Sequence, residues 1–267
     1  MQSSITSDLN QKPRVFGLLK RMAISTGTYR PARIVYRMLD GAQSLKFRQE
    51  VAFYSKLLLP GSLCFDAGAN IGEKTEAFLH AGASVVAFEP QPDCMRELTA
   101  RCRHYGKRLR TCQTVLGEKR QEIVLHLRES SGQASLLEDW QGDPTGKLHV
   151  AMTTLDDAIA EFGKPDYCKI DVEGYELNLL RGLTQPITLI SLEYHLTERE
   201  IETTRACLDY LAQFGEVRIN LAPSHLLEFA FDRWLSQSEF FAAFPEGLRR
   251  RDGYFYGDIF IRTTANK

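Results

Sequence analysis

Two carboxylates bracket a glycine turn in residues 65–92, FDAGANIGEKTEAFLHAGASVVAFEPQP: Asp66 stands just before the turn, and Glu89 closes the apolar run that follows the next helix. Gly68 and Gly72 allow a tight turn and a close backbone approach, and the following helix points its N-terminus at whatever binds there. Dinucleotide sites and other nucleoside sites share such a turn, so alone it discriminates little. The dinucleotide fingerprint is GxGxxG; here the pattern is DxGxNxG, with Asn70 in place of a middle glycine. Asp66 sits where a pyrophosphate would pass closest, and a carboxylate there repels a dianion at low local dielectric. It attracts an ammonium or a sulfonium, and S-adenosylmethionine carries both. Glu89, at the end of a strand, has the position from which an acid accepts hydrogen bonds from two ribose hydroxyls. The pair together favours S-adenosylmethionine over NAD. Each acid alone has a structural alternative, Asp66 as a cap of the turn and Glu89 as an exposed strand end.

A second constellation lies in KIDVEGYE, residues 169–176. Strand period two puts Lys169 and Asp171 on one face, with Asp171 at the carboxyl end beside Asp66. Glu173 and Gly174 turn the chain into a helix. SLEYH brings Glu193 and His195 to the same rim, again at period two. Such charges are costly to bury unless they pair or bind a ligand. Lys169 has a structural alternative, bracing the sheet through Glu193 or Asp171; Asp171 and His195 are read as functional.

Those side chains need a scaffold that gathers strand ends, and the rest of the chain supplies one. From PGS at 60–62 onward, apolar runs alternate with amphipathic ones. LCFDA is the kind of continuous apolar strand buried on both faces of a parallel sheet. EKTEAFLHAG is a helix with acids in its first turn and Gly82 as its stop, and SVVAFE is the second strand. A basic helix over about 92–106 leads to a third strand near 110–116. GEKRQEIVLHL reads as a turn and an extra strand, and 128–147 as a polar loop over the sheet's edge. HVAMTTLDDAIAEFGKP gives a short strand and a helix capped by Thr154. DYCKID, ITLISLEYH, EVRINL and GYFYGDIFIR are further strands, with a capping box at Thr197 and Glu200 and an amphipathic insertion at 223–252. The alternation predicts a doubly wound α/β sheet with ligands beyond the carboxyl ends of its first, second, fourth and fifth strands. Residues 13–59 read as helical, with Phe47, Val51, Tyr54 and Leu58 at helical spacing. The chain therefore divides into an N-terminal helical extension, 1–59, and an α/β domain, 60–267.

Composition fits that scheme. The 267 residues are 43% hydrophobic and 25% charged, ordinary for a soluble globular protein. A net charge of −1 gives the whole molecule no electrostatic case for nucleic acid or membrane. The charge is uneven: residues 1–50 carry Lys12, Arg14, Lys20, Arg21, Arg30, Arg33, Arg37, Lys46 and Arg48 against Asp8, Asp40 and Glu50, a local balance of +6. A solvated helical surface accounts for this; the sharper alternative is a contact for an acidic substrate or an anionic lipid surface. The six cysteines form no CxxC pair and no zinc-like cluster, as in a reducing compartment. The polar start MQSSITSDLN lacks a signal-peptide core, and no run reaches the roughly 20 apolar residues of a transmembrane span. The expected location is cytoplasmic.

In order, FDAGANIG, FEP, TTLDDAI, KIDVEGYE, SLEYH and the late GDIFIR resemble the FkbM-type methyltransferases, from about residue 45 to about 262. KIDVEGYE with TTLDD is the specific part; DAGANIG is common to many methyltransferases. The resemblance implies a seven-stranded, Rossmann-like class I methyltransferase fold and S-adenosylmethionine-dependent O-methylation, often of sugar or polyketide hydroxyls. It implies Asp66, Gly68, Asn70, Gly72 and Glu89 as cofactor residues and the KIDVEGYE positions as the catalytic rim. A sugar hydroxyl is a poor nucleophile, so a base is needed, and His195, Asp171 and Glu173 are the candidates, with His closest in pKa to the task. A divalent metal on Asp171, Glu173 and Glu193 stays open. The expected partner is a small-molecule or glycan hydroxyl acceptor, with no nucleic acid and no transmembrane segment. Two other classes remain: a module that binds the cofactor without chemistry, and an NAD-dependent enzyme, which Asp66 disfavours.

Overall fold

The computed structural model describes residues 20–140, 142–195, 197–223, 226–243 and 256–264. After helical residues 20–25 come α1 (Tyr29–Leu39) and α2 (Gly41–Tyr54); the Asp40 side chain caps α2 by accepting from the Gln43 N–H. Then follow β1 (Leu63–Ala67), α3 (Glu73–His80), β2 (Ser84–Phe88), α4 (Pro92–Cys102), β3 (Leu109–Cys112), β4 (Val115–Leu116), β5 (Gln121–Leu127), β6 (Gly146–Thr153) and α5 (Leu155–Phe162). The chain continues through β7 (Tyr167–Ile170), α6 (Glu176–Leu180), β8 (Leu189–His195), α7 (Glu198–Leu211), β9 (Glu216–Pro223), α8 (Gln237–Ala243) and β10 (Tyr256–Thr264).

Seven strands form one sheet in the order β3-β2-β1-β7-β8-β10-β9. The pairs from β3 to β8 are parallel, and β10 runs antiparallel to both β8 and β9. This is the expected doubly wound, seven-stranded mixed sheet. The helix stops and caps follow the sequence: Thr154 and Asp157 form a reciprocal capping box on α5, and Thr197 accepts from the Glu200 N–H on α7.

Two expectations near the edge needed correction. The helix expected to reach residue 106 ends at Cys102 and tightens into a 3₁₀ turn, Arg103–Arg108, with Gly106 at φ 62°. The strand expected over 110–116 is two strands in different sheets. After Cys112 the chain leaves the main sheet, the Thr114 hydroxyl donates to the Ala151 carbonyl at 2.6 Å, and β4 pairs with β6. With the antiparallel hairpin of β5 and β6 this makes a separate three-stranded sheet, whose Val115, Leu125, Val150 and Met152 pack on Tyr175.

The two faces of the main sheet differ in chemistry. One carries Phe65, Ala67, Cys168, Ile170, Ile190, Leu192, Ile259 and Ile261, all in the larger apolar core. The other carries Cys64, Tyr167 and Phe260 under α2 and α3, and then a polar row in which Asp66, Lys169 and Ser191 stand in register. Period two delivers this switch: the same alternation that keeps one face dry sets every second residue of KID on the other.

The N-terminal helices belong to that second face. Phe53 and Tyr54 are buried among Phe78, Phe229 and Phe260 in edge-to-face contacts. Ion pairs add to the seam: Arg33 meets Glu76 at 2.5 Å, Lys74 meets Glu50 at 2.8 Å, and the Tyr29 hydroxyl donates to Glu97 at 2.6 Å. The insertion between β9 and β10 also joins the core in its described part, through Phe229, Leu235, which bridges to Ile219, and Phe240 against Tyr194; its residues 244–255 lie outside the described residues. Among the described residues no helix is long and apolar enough to cross a membrane.

If the extension is part of the cooperative unit, Phe53→Ala should cost about 3–5 kcal/mol. Exposed Leu45 on the same helix is the control, and Leu45→Ala should stay within about 0.5 kcal/mol. Urea midpoints with an unchanged slope measure both; a Phe53→Ala loss confined to one early, low-amplitude transition would detach the extension from the domain.

Candidate functional site

The turn after β1 is built for close approach. Gly68, Asn70 and Gly72 all have positive φ, at 81°, 46° and 78°. A Cβ on Gly68 would fall 1.8 Å from the Asp171 carbonyl oxygen, so this position requires glycine. Asn70 takes the left-handed region that asparagine enters more readily than most residues, which explains the missing middle glycine. The N–H groups of Gly68 and Ala69 both donate to the Phe88 carbonyl at 3.0 Å, tying the turn to the end of β2. There Glu89 accepts one N–H on each oxygen, Asn70 on Oε2 and Gln91 on Oε1, both at 2.8 Å. Burial pushes its pKa up to about 7, although the same N–H bonds oppose the shift.

Beside this turn lies a cavity of about 270 Å³. Gly68, Asn70, Glu89 and Gln91 line it together with Asp171, Glu173 and Glu193, and Ser131 and Gly132 complete the lining from the loop after β5. That loop is latched: Gln91 Nε2 donates to the Ser131 carbonyl at 2.9 Å, and Ser131 Oγ donates to Asn70 Oδ1 at 3.1 Å. Leu125 and Leu136 add apolar surface. Among the described residues every titratable side chain lining the cavity is a carboxylate.

Asp66, expected at the cavity, does not line it. Its carboxylate is buried below the turn, accepts from Thr75 Oγ1 at 2.5 Å and lies next to Lys169 in register. Burial raises its pKa, with Lys169 and Thr75 working the other way. The cation that its charge asked for comes from the chain itself. Lys169 is the hub: its ammonium is 2.6 Å from Asp171 and 3.8 Å from Asp258. Burial alone would lower the Lys169 pKa, but Asp171, Asp258 and Asp66 hold it well above the ordinary value. Asp171 is half-buried; its pKa stays below the usual range because the Lys169 charge and a hydrogen bond to Glu193 outweigh desolvation.

Glu173 sits at φ 52° and accepts from Trp140 Nε1 at 2.9 Å, while its carbonyl accepts from Ser135 Oγ at 2.7 Å. Carboxylate oxygens of Asp171, Glu173 and Glu193 all lie within 4.8 Å of one another, close enough to share one hard cation. His195 is the last residue of β8, in register with Tyr256 and two residues beyond Glu193; its side chain lies outside the described part. The sequence thus brought Gly68, Asn70, Glu89, Asp171 and Glu173 to one cavity and missed Ser131 and Gln91, which reach it from a loop and a turn without a periodic signature, and Trp140, which bonds Glu173 from outside the lining.

With this geometry in place, comparison with known proteins adds a family. The model of the methyltransferase FkbM domain matches residues 66–227, more than half of the chain. Hexuronic acid methyltransferase AglP of Haloferax volcanii is 28% identical over 137 residues, which cover 49% of this chain and 55% of that protein, so the match spans about half the relative's length. Precorrin-6y C5,15-methyltransferase from Geobacter metallireducens superposes with a TM-score of 0.43 at 11% identity, over 80% of this chain and 87% of that one. The O-methyltransferase from Bacillus cereus in complex with SAH gives 0.43 at 10% identity, over 84% and 81%.

Lys169 offers a test of the charge balance. Lys169→Met keeps the length and removes the charge, leaving Asp66 and Asp171 without their counter-ion, and should cost about 3–5 kcal/mol at pH 8. In the wild type, Asp171 has a depressed pKa, so its contribution is present above the ordinary carboxylate pKa and lost as pH falls. In the variant the carboxyls rise in pKa, folding takes up protons, and the deficit should narrow toward pH 5. Denaturant midpoints at both pH values decide; an equal deficit at each would place the ammonium outside this network.

Proposed function

The chain belongs to the methyltransferase FkbM domain family, and on that premise we propose that it is an S-adenosylmethionine-dependent O-methyltransferase acting on a hydroxyl of a sugar, glycan or polyketide-type natural product. The observation that carries the reading is Glu89. Both its oxygens are oriented by backbone N–H groups at the end of β2, above a positive-φ turn, and it faces a cavity whose other charges are also negative. Ribose hydroxyls suit such an acceptor, and the acidic lining suits a cationic ligand and opposes a pyrophosphate dianion. The hexuronic acid methyltransferase among the relatives supports a sugar acceptor.

S-adenosylmethionine, when bound, supplies a methyl group on a cationic sulfur that the acceptor oxygen displaces in line. The chain has to align that oxygen and take its proton. Asp171, held ionised by Lys169, is a fixed hydrogen-bond acceptor more than a proton store, and Glu173, oriented by Trp140, is a second one. We assign these two to orienting the acceptor hydroxyl and His195 to receiving the proton. The three clustered carboxylates favour a second reading, in which Asp171, Glu173 and Glu193 hold a divalent cation that polarises the hydroxyl. Turnover that survives a chelator removes that version.

Glu89 yields a pH prediction. Ribose hydroxyls donate to a carboxylate, so the ligand selects the ionised form, and below about 7 the carboxyl must release its proton on binding. Affinity for S-adenosylmethionine should therefore be about tenfold weaker at pH 6 than at pH 8. For the free chain the sign reverses: the raised pKa makes this group's contribution to stability greatest below the ordinary carboxylate pKa and lost as pH rises through about 7. Glu89→Ala should weaken binding at pH 8 by about 1.5–3 kcal/mol and flatten the pH profile. Calorimetry at both pH values checks this, and wild-type affinity that does not move with pH would put the ribose elsewhere.

His195→Ala should lower turnover by roughly 10²–10⁴-fold with cofactor affinity near normal. Asp171→Asn should lower it too, and the double variant by less than the product, because groups acting as one unit are not additive. Single-turnover methyl transfer, cofactor affinity and melting are measured together. Early melting with a fully active folded fraction would make these residues structural and send the search for the base elsewhere.

A further inference from the structure

The N-terminal helices and the turn after them carry most of the large exposed apolar side chains of the described residues, among exposed cations. Five large hydrophobic residues are exposed among the described residues, and four of them fall between residues 22 and 59: Met22 at 54%, Val35 at 55%, Leu45 at 50% and Leu59 at 78%. The same stretch, residues 20–59, holds eight basic residues (Lys20, Arg21, Arg30, Arg33, Arg37, Lys46, Arg48 and Lys56) and two acids, Asp40 and Glu50. Neither acid offsets them at the surface. Glu50 is buried on Lys74, and Asp40 is half-buried and capping α2. Lys20 and Arg33 are turned inward onto Glu97 and Glu76 and exposed Arg21 lies 3.9 Å from Asp93, whereas Arg30, Lys46, Arg48 and Lys56 are exposed.

On α2 these residues form one row. Leu45, Arg48, Gln49 and Ala52 are spaced i, i+3, i+4 and i+7 and all are exposed; Lys56 continues the row past the helix end and Leu59 finishes it. The opposite row, Phe47, Glu50, Phe53 and Tyr54, is the one packed on the domain. Apolar side chains separated by cations, on a helix lying along the surface, match the chemistry of an anionic bilayer interface: the apolar groups enter the acyl boundary while Lys and Arg meet the headgroups. Nucleic acid would not use the leucines, and an apolar protein partner would not need the cations.

We propose that this face docks the protein on an anionic lipid bilayer as a peripheral protein. The docking face is separate from the cavity of the proposed methyl transfer and does not depend on that reading.

The test is co-sedimentation of the full chain with vesicles of phosphatidylcholine alone and of phosphatidylcholine with phosphatidylglycerol. The expected result is partitioning at least about tenfold stronger onto the anionic vesicles, falling with added salt. Lys46→Glu/Arg48→Glu should lower that partitioning by more than about tenfold, and Leu45→Ser/Leu59→Ser should lower it even at low salt, with melting and S-adenosylmethionine affinity unchanged. Lys56→Glu, outside α2, gives the same reading should the α2 variant melt early. Equal partitioning onto both vesicle types, or full retention by the charge and leucine variants, overturns the proposal. Retention on immobilised polyglutamate without vesicle binding also overturns it and assigns the face to an acidic polypeptide.

Discussion

One buried ammonium organises this molecule. Lys169 sits on β7 between β1 and β8, among Asp66, Asp171 and, from β10 one strand further on, Asp258, with Tyr54 of α2 close enough to feel the same field. Isolated charges at that depth would each cost several kcal/mol, and paired ones cost little only while their geometry holds. The pairing therefore fixes the spacing of strand ends. Asp171 N–H donates to the Ala67 carbonyl at 3.0 Å, and the Asp171 carbonyl leaves room at Gly68 for a hydrogen atom and nothing larger. The glycine turn, the end of β7 and the acid rim are one rigid object.

Electrostatics also divides the inside of the site from the outside of the protein. The cavity is lined by Glu89, Asp171, Glu173 and Glu193, while the surplus of cations lies on the N-terminal helices. A net charge of −1 hides this polarity. The acids line a cavity, whereas the cations stand on exposed helices, where salt screens them more strongly.

Local patterns made much of this legible in the sequence. The strand–turn–helix alternation, the DxGxNxG turn, Glu89 at the end of β2 and the Thr154 cap are all written within a few residues. Period two likewise put Lys169 and Asp171 on one face. What could not be read was register between distant segments. Asp258 reaches Lys169 because β10 pairs with β8 such that Asp258 stands opposite Glu193, a fact set by strands more than 60 residues apart. Asp66 was read as free for a ligand because its partner, Lys169, is about 100 residues away. The 128–147 stretch looked like a plain loop, since nothing in its composition announces that Ser131 would bond Asn70 or that the Trp140 ring would fill the space beside Gly174.

The latch at the cavity is a light one. Two hydrogen bonds, Gln91 to Ser131 and Ser131 to Asn70, hold the segment down. Neutral bonds of this kind contribute roughly 0.5–1.5 kcal/mol each. Together they contribute roughly 1–3 kcal/mol. Bonds of that size can part without disturbing the sheet or its buried charges, since none of Gln91, Ser131 and Asn70 lies in a strand.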